Sequence, residues 1–148
     1  MLKFKFTLVI LLCAIMGFSA PLSESFDSLS GIGYTFRLYN GWKIYDCYPE
    51  DPQNSYLGTG SAIRLDDDFG AKVQSPAKSG GIGTISFWYR HWNANPAISK
   101  VYIEVSDDSL NWVTIDSIQN ISSTNFINYT KVVNSNSARY MQVISSGE

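Results

Sequence analysis

The segment GTISFWYRHW, residues 83–92, carries side chains suited to binding rather than to bond cleavage. In a β-strand, successive side chains point to opposite faces of the sheet. One face of this segment therefore carries Trp88, Arg90 and Trp92, while the other carries Phe87 within an apolar stripe. The apolar stripe predicts the side that faces the core. The mixture of tryptophan and arginine predicts an exposed face that binds a ligand, because such sites combine apolar surfaces with a few polar groups.

A second segment, SKVYIEVSDD (99–108), predicts a neighbouring strand that extends this face. If its valines and isoleucine face the core, Tyr102 and Glu104 point outward. With Trp88, Arg90 and Trp92 they would form a shallow aromatic platform for a polysaccharide chain. A second interpretation stays open, in which the same residues make cross-strand contacts, Trp88 with Tyr102 and Arg90 with Glu104, and bind no ligand.

Three consecutive carboxylates, Asp66, Asp67 and Asp68, are candidate ligands for a structural calcium ion, with Asp27 as a further candidate. Calcium prefers carboxylate and carbonyl oxygens. The alternative is a charged turn that ends a strand and protects a sheet edge. No other cofactor is expected, since a zinc site needs three or four ligands and the chain has one histidine and two cysteines.

Groups for catalysis are few. His91 is the one histidine, and no spacing of serines or carboxylates selects a catalytic set. We therefore expect a non-catalytic binding module for a carbohydrate or a cell-surface partner, attached to a larger exported protein. Two alternatives stay open: a secreted hydrolase domain with its site in the 31–60 region, and a structural spacer without a ligand.

The segments that position these residues have the pattern of short strands separated by turn residues. This pattern predicts an all-β fold, a two-sheet antiparallel β-sandwich. Region 31–60 reads as long loops with one strand. The turn in VSDDSLNWVTI predicts a hairpin in which Asp107 and Asp108 accept backbone hydrogen bonds. The strand candidates are YTFRLY (34–39), SAIRLDD (61–67), AKVQSPA (71–77), GTISFWYRHW (83–92), SKVYIEVSDD (99–108), NWVTIDSIQ (111–119), FINYTKVV (126–133) and RYMQVIS (139–145).

Residues 1–20 are predicted to be a secretory signal peptide, with Lys3 and Lys5 before an apolar run and small residues at its end. The apolar run is shorter than the roughly 20 residues that span a bilayer, so no membrane span is expected. Removing the signal leaves 9 basic and 13 acidic residues, a formal charge of −4. Nucleic acid is therefore not an expected partner. The remaining chain, 21–148, has the size of a single secreted or cell-surface domain.

Several blocks together resemble a jelly-roll module found at the N-terminus of secreted multidomain proteins of Bacteroidetes-type bacteria. It is similar to cleaved-adhesin, carbohydrate-binding, galactose-binding and concanavalin-like sandwiches. The resemblance implies a bacterial binding or adhesion module with a further closing strand, so we expect the module to be truncated at its C-terminus. The blocks are SFDSL, GSAIRLDDDFGAKVQSPA, GGIGTISFWYRHW, SKVYIEVSDDSLNWVTI and ARYMQVIS, between residues 24 and 146.

Overall fold

The computed structural model describes residues 22, 24–26, 28–29, 34–50, 62–66, 70–91 and 100–146. These ranges contain strands and no helix, which confirms the predicted all-β fold class. The described ranges therefore contain no helix that could cross a membrane. In chain order the strands are β1 (Thr35–Tyr39), β2 (Trp42–Glu50), β3 (Ala62–Leu65), β4 (Lys72–Gln74), β5 (Ile82–Tyr89), β6 (Lys100–Ser106), β7 (Val113–Gln119), β8 (Ile127–Ser135) and β9 (Tyr140–Ser145).

The strands form two antiparallel sheets. Seven of them make a large sheet with the order β1-β2-β4-β9-β6-β7, in which β3 also pairs with β2. The other two, β5 and β8, make a small sheet. The expectation that β5 and β6 are neighbours is wrong, because β5 pairs with β8 while β6 lies between β9 and β7 in the other sheet. The chain changes sheet between these two strands.

The 31–60 region is more regular than its sequence predicts. Asn40 and Gly41 have φ angles of 48° and 82°, which is the backbone of a two-residue hairpin turn joining β1 to β2. Strand β2 also contains a bulge at Asp46, whose φ is 49°. The bulge interrupts the alternation of inward and outward side chains. The predicted strand at residues 34–39 is confirmed by β1, whereas the prediction of long loops is wrong for residues 42–50, which form β2. Residues 31–33 and 51–60 of this region lie outside the described part.

The core lies between the two sheets and is lined by the inward side chains of the large sheet. Ile44 and Ile103 are 0% exposed, and Val73 and Val143 lie between them in register. Phe26, from the segment before β1, packs edge-on against Trp42 with 5.4 Å between ring centres. Burial of these apolar side chains is the main stabilising contribution, at about 25 cal/mol per Å² removed from water.

The small sheet covers this core with the face that the sequence predicts. Ile85 is 5% exposed, and Phe87 packs against the core and stacks on Tyr129 at 4.8 Å. Trp88 points to the other face and is 37% exposed. The assignment of Phe87 to the core side and Trp88 to the outer side is therefore confirmed.

A polar contact links the two sheets beside the core. The Tyr129 hydroxyl of β8 donates to Asp116 Oδ2 of β7 at 3.1 Å, and Lys131 Nζ lies 3.2 Å from the same oxygen. The backbone N–H of Ser117 is the first of several groups that hold the pKa of Asp116 below its usual range. The contact fixes how β7 and β8 lie across the gap between the sheets.

Candidate functional site

The structure separates the residues predicted to form one platform. Trp88 and Arg90 extend from the small sheet, whereas Tyr102 and Glu104 lie on the outer face of the large sheet. The core lies between those two faces, so the four side chains cannot form a single surface. Trp92, the fifth predicted residue, lies outside the described residues. Whether any of them binds a ligand stays a prediction, but one shared platform is excluded.

The outer face of the small sheet is polar and largely self-paired. Ser86 Oγ lies 3.1 Å from Thr130 Oγ1, and Thr130 donates to Asn128 Oδ1 at 2.9 Å. Trp88 sits opposite Asn128 in the strand register. The Arg90 guanidinium lies 5.2 Å from the centre of the Phe126 ring. The predicted cross-strand contacts of Trp88 with Tyr102 and of Arg90 with Glu104 are therefore wrong, because the partners lie in different sheets. The polar groups of this face bond instead to one another across β5 and β8.

The outer face of the large sheet is organised in two cross-strand rows. Directly opposed residues on antiparallel strands point to the same face, so the strand register places each row on the side away from the core. The aromatic row consists of Phe36, Tyr45, Lys72, Ile144, Tyr102 and Ser117. The polar row consists of Leu38, Lys43, Gln74, Gln142, Glu104 and Thr114.

The aromatic row presents two separated ring surfaces. Phe36 and Tyr45 are in contact, with 4.9 Å between ring centres, and Phe36 is 56% exposed. Tyr102 lies three strands away from Tyr45 in the order β2-β4-β9-β6. At about 4.8 Å between neighbouring strands, the two tyrosines are about 14 Å apart. A ligand that touched both would have to be extended.

The polar row is built around the Glu104 carboxylate and two buried amides, those of Gln74 and Gln142. Glu104 accepts hydrogen bonds from Thr114 Oγ1 at 2.8 Å and from Gln142 Nε2 at 2.6 Å. Gln142 is 2% exposed, and its Oε1 atom accepts no hydrogen bond from any described residue. A buried acceptor without a donor costs about 1–3 kcal/mol. A donor supplied by a ligand or by water would remove that cost.

Cations accompany the rings on this face. Lys72 Nζ lies 5.0 Å from the centre of the Tyr45 ring, and Lys100 Nζ lies 4.4 Å from that of Tyr102. The Arg64 guanidinium of β3 lies 5.1 Å from the centre of the Tyr48 ring. Cations within about 6 Å of a ring centre are attracted to its face. The tyrosine rings at positions 45, 48 and 102 therefore each lie close to a positive charge.

A cleft beside β5 is the alternative site, but it is small. It has a volume of about 50 Å³. A water molecule occupies about 30 Å³ of liquid, and small-molecule sites measure roughly 300–1,000 Å³. The cleft therefore has room for water and not for a sugar. Its lining residues are Leu22, Trp42, Ser75, Lys78, Ile82, Thr84, Ile85, Ser86 and Met141.

The predicted calcium ligands are described only in part. The backbone N–H of Asp66 donates to the carbonyl of Asp46 at 3.2 Å. Asp67, Asp68 and Asp27 lie outside the described residues. Within the described ranges, no three His, Cys, Asp or Glu side chains converge as a metal site would require. The calcium site therefore stays a prediction.

The one thiol of the 31–60 region is unsuited to nucleophilic chemistry. Cys47 is 0% exposed and donates to the carbonyl oxygen of Tyr45 at 2.9 Å. Burial raises the pKa of the Cys47 thiol to about 12. The reactive species is the thiolate, which is therefore scarce at neutral pH. Cys47 acts as a core residue, and the hydrolase alternative gains no nucleophile from it.

The predicted hairpin between β6 and β7 is confirmed, with Asp108 at its centre. Within this described turn, the hydrogen bonds predicted for Asp107 are not formed. Asp108 Oδ1 accepts from the backbone N–H groups of Asn111 at 2.8 Å and Leu110 at 2.7 Å. The same oxygen accepts from the Ser106 hydroxyl at 3.0 Å. Led by the Asn111 and Leu110 bonds, these contacts hold the pKa of Asp108 well below its usual range. The carboxylate is thus a structural part of the turn.

Replacing Asp108 with asparagine should lower stability at neutral pH and have a smaller effect in acid. A carboxyl group whose pKa is lowered by folding stabilises the protein above its unfolded pKa, near 4. That contribution is lost as the pH falls through the folded pKa. Melting temperatures measured from pH 7 to pH 2 should therefore show a gap between wild type and Asp108→Asn that begins to narrow below about pH 4 and continues to narrow toward pH 2. Asp107→Asn, in the same turn, is the control; a gap that does not vary with pH would contradict the assignment.

Sequence reasoning missed Tyr45, Gln74 and Gln142 as members of the site. The alternation in KVQ and YMQVIS does predict that both glutamines point to the face away from the inward Val73 and Val143. What the sequence does not contain is the pairing of β4 with β9, which brings distant segments together. Without that pairing, the two glutamines cannot be placed in one row.

No protein-family model, no curated protein and no solved structure matches the chain.

Proposed function

We propose that this chain is a non-catalytic, secreted module that binds a polysaccharide on the outer face of the large sheet. The observation that carries the proposal is the pair of rows, which run without a break across strands of this sheet. One row offers aromatic rings, and the row beside it offers amide and carboxylate groups. This is the combination that recognises sugars, whose rings have apolar faces and hydroxyl edges.

The length of the face supports a chain-like ligand. Six strands at about 4.8 Å separation give each row a span of about 24 Å. The central polar groups are held in place, since Gln142 and Thr114 both donate to Glu104. Preorganised groups lose less entropy when a ligand binds. The Gln142 Oε1 atom accepts no hydrogen bond from the described residues, and a shift of this buried side chain toward the surface would offer it to a sugar hydroxyl.

The large-sheet face is favoured over the Trp88 face for a specific reason. On the small sheet, Ser86, Asn128 and Thr130 already bond to one another. On the large sheet, Gln142 keeps an acceptor that the described residues leave unfilled. Tyr102 and Glu104, two of the predicted binding residues, lie on this large-sheet face, next to the unfilled acceptor of Gln142. Membership in a larger exported protein, as the resemblance implies, belongs to the same proposal.

Replacing Tyr102 with alanine should weaken polysaccharide binding about tenfold, because a ring contact of ~1.4 kcal/mol corresponds to that factor. The measurement is retention on a panel of insoluble and soluble polysaccharides, with melting temperature as the folding check. Tyr102→Phe keeps the ring and should retain binding. Trp88→Ala removes a ring from the opposite face and is the matched control.

The pattern of loss distinguishes the interpretations. Weakening by Tyr102→Ala alone supports the large-sheet site. Weakening by Trp88→Ala alone places the site on the small sheet and contradicts the proposal. A wild-type protein that no polysaccharide retains would favour a spacer, and hydrolysis of any polysaccharide would favour the enzyme alternative.

A further inference from the structure

We infer that the polysaccharide bound on the outer face of the large sheet is acidic, carrying carboxylate or sulfate groups beside the sugar rings. The inference rests on the proposed function and names its ligand class. It is carried by the placement of lysines on the same face as the rings.

The lysines lie where a stacked sugar would lie. Lys72 belongs to the aromatic row between Tyr45 and Ile144, and its ammonium is 5.0 Å from the Tyr45 ring centre. Lys100 is on the same strand as Tyr102, and its ammonium is 4.4 Å from that ring centre. Lys43 stands opposite Gln74 in the polar row. Both ring surfaces therefore have an ammonium group close to them.

The charge of this face is not balanced locally. Among the described residues, neither Lys43, Lys72 nor Lys100 has a carboxylate oxygen within 4 Å. Glu104 is the one carboxylate of the two rows, and both of its oxygens already accept hydrogen bonds from Thr114 and Gln142. The whole chain has a formal charge of −2, so the positive face runs against the overall charge. An anionic ligand is the complement of such a surface.

The position of the ammonium groups separates acidic from neutral sugars. A neutral sugar that stacks on Tyr45 or Tyr102 must displace the lysine from the ring and gains no ionic contact in return. A sugar with a carboxylate or sulfate can stack while its anion pairs with the displaced ammonium group. The same lysines therefore oppose a neutral chain and attract an acidic one.

The test compares ligands that differ only in charge. The probes are polygalacturonate and its fully methyl-esterified form, accompanied by alginate and a sulfated galactan, and binding is measured by affinity electrophoresis or calorimetry. At least one acidic polymer should bind. The neutral ester should bind at least about tenfold more weakly than polygalacturonate if that polymer is a ligand, and added salt should weaken acidic binding because exposed charges are screened.

Substitutions then assign the effect to this face. Lys72→Gln and Lys100→Gln should each weaken acidic binding about two- to fivefold, the range expected for an exposed ion pair. Lys131 lies on β8 of the small sheet, where its ammonium group is paired with Asp116. Lys131→Gln should therefore have no effect on binding. Polyglutamate serves as a non-sugar polyanion and should not compete.

Each result decides between the two proposals. Equal binding of acidic and neutral polymers, insensitive to salt, overturns the acidic ligand and leaves polysaccharide binding standing. Competition by polyglutamate, or equal loss in Lys72→Gln and Lys131→Gln, also overturns the acidic-sugar site. Binding of no polymer, acidic or neutral, overturns both this inference and the proposed function.

Discussion

Replacing Gly81 with alanine should destabilise the protein by more than about 3 kcal/mol, which exceeds the roughly 1–3 kcal/mol cost of a strained backbone conformation alone. Gly81 has a φ of +90°, which side chains other than glycine rarely adopt. A Cβ atom there would also overlap the carbonyl oxygen of Ser135 and lie 2.8 Å from Asn136 Cα. Both contacts are backbone atoms at the end of β8, so relief requires the small sheet to open.

Two other glycines separate these causes. Gly70 has a φ of +99° but no heavy atom near the position of a Cβ, so Gly70→Ala reports the conformational cost alone. Gly83 has open space and an ordinary φ, and Gly83→Ala should be close to neutral. Urea unfolding of the three variants gives the free energies of unfolding. A Gly81→Ala variant no less stable than Gly70→Ala would show that the contact with β8 is not tight.

Replacing Ile103 with alanine should cost about 2–5 kcal/mol, because a buried side chain is lost and its space cannot fully collapse. Ile103 is 0% exposed and lies on β6, which is paired on both sides. Val113 provides the control on the neighbouring strand. It is also β-branched but is 63% exposed, so Val113→Ala should change stability by less than about 0.5 kcal/mol.

The measurement is again urea unfolding, with the slope of the transition as a check that both variants remain two-state. Similar losses for Ile103→Ala and Val113→Ala would mean that the inward face of β6 has been assigned wrongly. Tyr102 and Glu104, which alternate with Ile103, would then face the core, and the proposed binding face would be lost with them.

Alternation along single segments accounts for most of what the sequence predicts correctly. In β6 the pattern of Val101, Ile103 and Val105 is enough to place Tyr102 and Glu104 outward, and the same holds for Trp88 in β5. The sequence does not predict strand β2, because the alternation of inward and outward side chains along it is broken at Asp46. The Asn40–Gly41 pair before it was an available signal, since Asn-Gly is the strongest short hairpin motif.

Pairing between distant segments accounts for what the sequence did not predict. Consecutive strands are neighbours roughly two-thirds of the time, which made β5 and β6 the natural pair. The structure instead pairs Tyr102 with Ile144 and Ser117. No local pattern encodes the choice of β9 as partner, because its side chains suit any half-buried strand.

The central position of β9 determines when the large sheet can be completed. One side of that sheet, β1 to β4, comes from the early part of the chain, and β6 and β7 come later; β9 is the strand that joins them. Until residues 140–145 have paired, both groups have an open edge, at β4 and at β6. Strand pairs between segments that are far apart in the sequence form slowly, because the long loop between them must first be closed. The two rows of the proposed binding face are therefore continuous only when β9 is paired with both β4 and β6.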